Sequence, residues 1–191
     1  MNKIYVTLYV LLIAFVAKAQ CNFQIIDFQQ KKMIATPKTM IATQENEKSN
    51  KASYLLFSLF TDGEVNKVLT TFSQVAPEQL QKVCFTNKAK LVFTLKDASK
   101  VTLSYNGYDI CQEQKKHPTK KAFNTLKTET LFLIDKAAYL NLKKQKITKV
   151  SLITGNNQKF PFDITKRIED VQINDTAFPA LFFMNNLDCL K

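Results

Sequence analysis

The chain has no tryptophan, three glycines, one histidine (His117) and one arginine (Arg167) among 191 residues. Each scarcity closes off a chemistry. Three scattered glycines cannot build the Gly-rich loop whose backbone amides cradle a phosphate. One histidine cannot supply paired imidazole ligands. The four cysteines Cys21, Cys84, Cys111 and Cys189 show no close Cys-x2-Cys spacing. A tetrahedral zinc site is therefore not encoded, and neither a metal nor a cofactor is expected. A single guanidinium cannot form the set of planar forks that reads phosphates and base edges, so specific nucleic-acid recognition is not expected. No stretch reaches the ~18 consecutive apolar residues of a spanning helix.

What is present begins with a leader. Lys3 precedes an apolar run over residues 4–16, and Ala17-Lys18-Ala19 follows. A positive start, a short apolar core and small residues at the two positions read by a peptidase predict a secretory signal over 1–19, cleaved before Gln20. The domain over 20–191 is then an exported one, in the periplasm, on the cell surface or outside the cell. The rival reading is a lipid anchor on Cys21, but Gln20 is not the small residue that such processing requires.

In an oxidising compartment, four cysteines favour disulfides, with three possible connectivities. The stretch 89–105 (AKLVFTLK-DAS-KVTLSY) alternates Leu91, Phe93 and Leu95 against polar residues, and Val101, Leu103 and Tyr105 repeat this after an Asp97-Ala98-Ser99 turn. Period two over both arms predicts a hairpin with one buried face. Pairing Lys96 with Lys100 and extending outward brings Cys84 nearly opposite Cys111. Cys84–Cys111 is therefore the expected bond, and Cys21–Cys189 the complementary staple. A Cys111–His117 nucleophile pair is the alternative use of these residues, weaker than a disulfide beside an exposed loop histidine.

Charge is uneven. Residues 82–149 hold fifteen lysines against Asp97, Asp109, Glu113, Glu129 and Asp135, a net of +10, while the flanking stretches nearly balance. The densest parts are Lys115, Lys116, Lys120 and Lys121, and then Lys143, Lys144 and Lys146. These seven are the candidate polyanion-binding residues, and the partners they suit are anionic envelope lipid, lipopolysaccharide or acidic polysaccharide. The competing explanation is an ordinary solvated surface in a Lys-rich protein.

Along the chain, strands are expected near residues 22–28, 52–60, 65–72, 126–134, 147–154 and 159–165. Asp62-Gly63 makes one turn and Gly155-Asn156-Asn157 another, and Pro161 marks an edge. Residues 44–51 read as an exposed loop. Met33-Ile34-Ala35-Thr36 recurs as Met40-Ile41-Ala42-Thr43 around Pro37, as in a short hairpin or two edge strands. Asp135 is placed to cap a helix over 136–144. Residues 175–190 predict the clearest helix, capped by Asp175, with Phe178, Leu181, Phe182 and Cys189 on its buried face.

A leader ending in Ala19-Gln20, Asp-Gly and Asp-Ala-Ser hairpin tips, the Phe132-Leu133-Ile134-Asp135 step from strand to helix, and a terminal Asp188-Cys189-Leu190 together resemble the small exported proteins of unknown function common in Bacteroidota. The resemblance implies an envelope or extracellular location and carries no site residues. The expected fold is α+β and mainly β: antiparallel hairpins in a sheet or sandwich, with a C-terminal helix. The expected role is a non-enzymatic binding or accessory module. A cell-surface hydrolase and a structural partner of another envelope protein are the alternatives. No nucleophile, base and acid fall at a spacing that favours the hydrolase.

Overall fold

The computed structural model describes residue 21 and residues 24–28, 31–61, 65–164, 167–170 and 175–190. The expected leader, its cleavage point at Gln20 and the Asp62-Gly63 turn lie outside these residues.

Long alternating runs build a large antiparallel sheet. Its strands are β1 (Gln24–Phe28), β2 (Lys31–Ala35), β3 (Thr39–Asn46), β4 (Lys51–Thr61), β5 (Asn66–Ala76), β10 (Lys115–Lys116) and β11 (Asn124–Ile134). The order is β1-β2-β4-β5-β11-β10, with β3 also on β4. A second sheet holds β7 (Lys90–Leu95), β8 (Lys100–Ser104), β12 (Ile147–Ile153) and β13 (Lys159–Asp163), in the order β13-β12-β7-β8. Pro161 thus lies on an edge strand, where its missing N–H costs no ladder bond. Two short ladders complete the β structure: β6 (Val83–Phe85) with β9 (Ile110–Gln112), and β14 (Ile168–Asp170) with β15 (Asp175–Ala177).

The two sheets face each other. Leu55, Phe57 and Leu59 of β4 and Val68 and Phe72 of β5 meet Leu91, Phe93 and Leu95 of β7 and Val150 and Leu152 of β12 in one buried core. The sheets are joined at a corner, where Tyr105 bridges Phe132 and the Asn106 amide donates to the Leu131 carbonyl at 2.8 Å. Phenylalanines fill the interior. Phe57, Phe93 and Phe183 stack edge-on or tilted with centroids 5.0–6.1 Å apart, which ties β4, β7 and the C-terminal segment together. Burying each such ring contributes roughly 2–3 kcal/mol.

The register of the central hairpin differs from expectation by two residues: Thr94, not Lys96, pairs with Lys100. The cause is the turn. The Ala98 amide donates to the Leu95 carbonyl at 3.0 Å, and the Leu95 amide to the Ser99 carbonyl at 2.9 Å. Ala98 takes φ 67°, the left-handed residue of a three-residue loop. A two-residue slip preserves which face each side chain occupies, so the buried set is as expected. Cys84 is directly opposite Cys111, but on the separate β6–β9 ladder.

The helix α1 (Lys136–Lys144) has its expected bounds, and the Asp135 carboxylate accepts from the Ala138 amide at 2.7 Å. The C-terminal helix is shorter than its pattern suggests. Residues Asp175–Ala177 pair as β15, and helical structure starts at Pro179 with a 3-10 turn, continues through α2 (Phe182–Asn186) and closes with a 3-10 turn over Leu187–Leu190. Phe178 at its start is 50% exposed, whereas Phe182, Phe183, Leu187 and Leu190 are buried. Tertiary contact with Phe57 and Phe93, rather than the spacing from Asp175, sets the phase.

Residues 44–51 are not a free loop. β3 runs to Asn46, β4 starts at Lys51, and the tip between them is closed by the Asn46 side chain, which accepts from the amides of Lys48 (3.1 Å) and Ser49 (3.3 Å). The two Met-Ile-Ala-Thr copies run collinearly along β4, the first in β2, which β1 covers on its other side, and the second in the edge strand β3, with a break at Thr36-Pro37-Lys38. Thr36 spans the break: its hydroxyl oxygen accepts from the Leu59 amide at 2.9 Å, and its own amide donates to the Leu59 carbonyl at 2.8 Å.

Candidate binding surfaces of the basic third

Both cysteine pairs are disulfides, Cys21–Cys189 and Cys84–Cys111, with Cα–Cα distances of 5.5 and 4.0 Å. Cys111 therefore has no thiol to offer His117. The histidine serves its own loop instead. Its Nδ1 accepts from the amides of Lys120 (3.1 Å) and Thr119 (3.3 Å), and its amide donates to the Phe123 carbonyl at 2.9 Å. Among the described residues no three His, Cys, Asp or Glu side chains are grouped as a metal site would require. No helix among them is long and apolar enough to cross a membrane.

The seven lysines singled out by density fall into two groups, one at the Asn124 end of β11 and one at the tip of the β7–β8 hairpin. Lys115 and Lys116 form the short edge strand β10, opposite Thr125 and Asn124. Lys120 and Lys121 follow in the loop closed by His117, with the Lys120 ammonium 5.9 Å from the Phe123 ring centroid. This loop walls a cavity of about 470 Å³ whose other side is the β3–β4 tip. Tyr54 and Phe123 supply apolar surface there, while Glu45 and Glu47 offset Lys51 and Lys120. The loop's cavity is thus charge-balanced.

The other group sits at the hairpin tip. Lys143 is committed: its ammonium donates to Asp188 at 2.5 Å, a contact that raises its pKa and ties α1 to the C-terminal segment. Lys144 is exposed. Lys146 is exposed and its carbonyl accepts from the Lys96 amide at 2.9 Å, which anchors the end of α1 to the turn. The Gln145 amide adds a 2.7 Å bond to Asp97.

Four lysines outside both groups share one face. The register of the small sheet places Asp163, Lys149, Thr94 and Lys100 in one row, Pro161, Ser151, Val92 and Thr102 in the next, and Lys159, Ile153, Lys90 and Ser104 in the third. Leu91, Phe93, Val150 and Leu152 point to the core, so these rows point to solvent. Lys90, Lys100, Lys149 and Lys159 are all exposed. Lys149 has an exposed partner in Asp163 at 3.1 Å. Lys90, Lys100 and Lys159 have no carboxylate within salt-bridge distance among the described residues. Sequence density missed them because they are far apart in the chain. Alternation flags Lys90 and Lys100 as outward, but only strand order puts Lys149 and Lys159 beside them.

The chain matches no protein-family model, no curated protein and no solved structure.

Proposed function

We propose that this is an exported, non-enzymatic binding module of the cell envelope or its surroundings, which meets an anionic partner through lysines of its middle and small-sheet regions. One observation carries the reading: three of the four outward lysines of the small sheet lack a carboxylate partner among the described residues, while the only histidine and all four cysteines are engaged in structure. Uncompensated charge on a rigid sheet is a steering and binding device. The two disulfides support an oxidising compartment.

The test is a titration of the chain from residue 20 onward against alginate, lipopolysaccharide and phosphatidylglycerol vesicles at about 20 mM salt. Saturable binding to at least one is expected, weakening as salt shortens the screening length. Absence of binding to all three, or turnover of ester, glycoside or peptide substrates above a disulfide-reduced, denatured control, would overturn the proposal.

A further inference from the structure

We infer that the outer face of the small sheet is a docking surface for a linear acidic polysaccharide. This deepens the binding-module reading and rests on it. The argument starts from strand geometry. Lys149 and Lys100 are two strands apart in one row, and Lys159 and Lys90 are two strands apart in another. Adjacent strands are ~4.8 Å apart, so each pair of lysine Cα atoms is separated by roughly 10 Å. The rows are four residues apart along β7, from Lys90 to Thr94, or roughly 13 Å. Four lysine Cα atoms therefore mark the corners of a skewed frame about 10 by 13 Å on a sheet that cannot readily change its spacing.

The floor of that frame is Pro161, Ser151, Val92 and Thr102, with Ile153, Thr94 and Ser104 beside it. Ser151, Thr102, Thr94 and Ser104 each carry a hydroxyl that both donates and accepts, and Pro161, Val92 and Ile153 are apolar. A sugar ring is a flat object edged with hydroxyls. A polymer with a carboxylate on its sugars at comparable intervals meets ammonium groups at the corners and hydroxyls between them. The tip extends the basic strip, since Lys96 and Lys146 are exposed and adjoin the row of Lys100 and Lys149.

The face discriminates against other polyanions. A bilayer is gripped by inserted aromatic or bulky apolar side chains, and the exposed large hydrophobics Ile25, Ile34, Val65, Tyr108, Leu140 and Phe178 all lie elsewhere. Single-stranded nucleic acid is held by aromatic stacking platforms, and the three rows contain no aromatic ring. Charge complementarity with hydroxyl-bearing chain is what the face offers.

The experiment compares two triple variants of equal charge change, measured against alginate, with neutral dextran as control. Lys90→Glu/Lys100→Glu/Lys159→Glu removes the frame, and Lys115→Glu/Lys116→Glu/Lys121→Glu removes the loop cluster. The frame variant is expected to lose about tenfold or more in affinity at about 50 mM salt, and the loop variant less than about threefold. Should the first variant fail to fold, the Lys→Gln triple at the same positions is expected to lose about fivefold. Equal losses in the two triples would show a net-charge effect and overturn the assignment. Binding of phosphatidylglycerol vesicles without binding of alginate would overturn the ligand class while leaving the binding-module reading intact. Failure to bind any anionic probe would remove both.

Discussion

On the outer face of the large sheet, Glu129 stands between lysines. It accepts from the Lys38 ammonium at 2.6 Å and the Thr71 hydroxyl at 3.3 Å, and Lys127 is 3.9 Å away. Beside this network, Ala35, Phe60, Leu69 and Leu131 form a second small buried cluster. On the outer face of the small sheet, Lys90, Lys100 and Lys159 are set among serine, threonine, valine, isoleucine and proline, with no salt bridge to an acid among the described residues. Both faces come from the same period-two alternation, and both lie in or next to the lysine-rich third. The difference is one partly buried acid. Glu129 pairs with Lys38 and lies 3.9 Å from Lys127, whereas Asp163, the acid in the small sheet's rows, pairs with Lys149 at the edge. A block of sequence charge therefore says little about a surface until strand pairing shows where the acids fall.

The strongest way to break this comparison is to loosen the junction that holds the small sheet's arms. The Cys84–Cys111 bond closes a 27-residue separation that contains the whole β7–β8 hairpin. In the chain-entropy account, a loop of that size is worth about 3.5 kcal/mol. Replacing both cysteines with serine is expected to lower stability by about that amount in denaturant unfolding. Hydrogen exchange should rise first in β6, β9 and the base of β7 and β8, and last in β4, β5 and β11, which are eleven residues long each. Uniform loss of protection across both sheets would show that they unfold as one unit and that the contrast is confined to their surfaces.

A smaller effect sharpens the contrast directly. Glu129→Gln leaves Lys38 and Lys127 facing each other over a partly buried patch, and is expected to cost about 1 kcal/mol. Asp163→Asn removes a pair whose side chains are 66% and 84% exposed, and is expected to change stability by less than about 0.5 kcal/mol. The same asymmetry has a pH dependence. Burial pushes the Glu129 carboxyl up, but the hydrogen bond and charge of Lys38, then Lys127 and Thr71, outweigh it, and the net shift is downward. A carboxyl lowered by folding stabilises the folded state above its ordinary value, and that contribution fades as pH falls below 4.5 through the lowered value. Equal costs for the two variants would remove the claim that the large sheet's acid is the structural one.

How much of this could be read before the strands were paired follows from the range of each interaction. Alternation in 89–105 is local, so the hairpin and its buried face were legible; Cys84 and Cys111 are opposed as expected, but on the separate β6–β9 ladder rather than by extension of the hairpin. So was α1, because the Asp135 cap is three residues from the amide it satisfies. The C-terminal helix was misjudged at its start because residues 175–177 pair with 168–170, a contact that helical spacing cannot reveal. The hairpin register was displaced because an alanine, not glycine or asparagine, takes the left-handed turn position. The lysine frame was invisible for the same reason as the strand order: Lys90 and Lys159 become neighbours only through β12, which lies between their strands.

The smallest effect lies at the tip of the β7–β8 hairpin, where the turn meets the end of α1. Asp97 is fully exposed, yet its carboxyl is held at about 2, below its ordinary 3.8. The Ser99 hydroxyl contributes most, at 2.6 Å, followed by the Gln145 side chain and the Ser99 amide. All three donate to the ionised form and so favour it. The contribution of these bonds is present above pH 3.8 and is lost as pH falls toward 2. Titration of the Asp97 carboxyl by NMR should therefore show a midpoint near 2 in the intact chain. Ser99→Ala should move it up toward 3.8 more than Gln145→Ala does, because the hydroxyl is the larger cause. Gln145→Ala carries the further consequence, since Gln145 links the end of α1 to the turn: exchange at the Lys96 amide, which donates to Lys146, should quicken. A midpoint of 3.8 in the unmodified protein would mean that the Ser99 and Gln145 bonds to Asp97 are not made. The end of α1 would then be tied to the turn through the backbone bond from Lys96 to Lys146 rather than through Asp97.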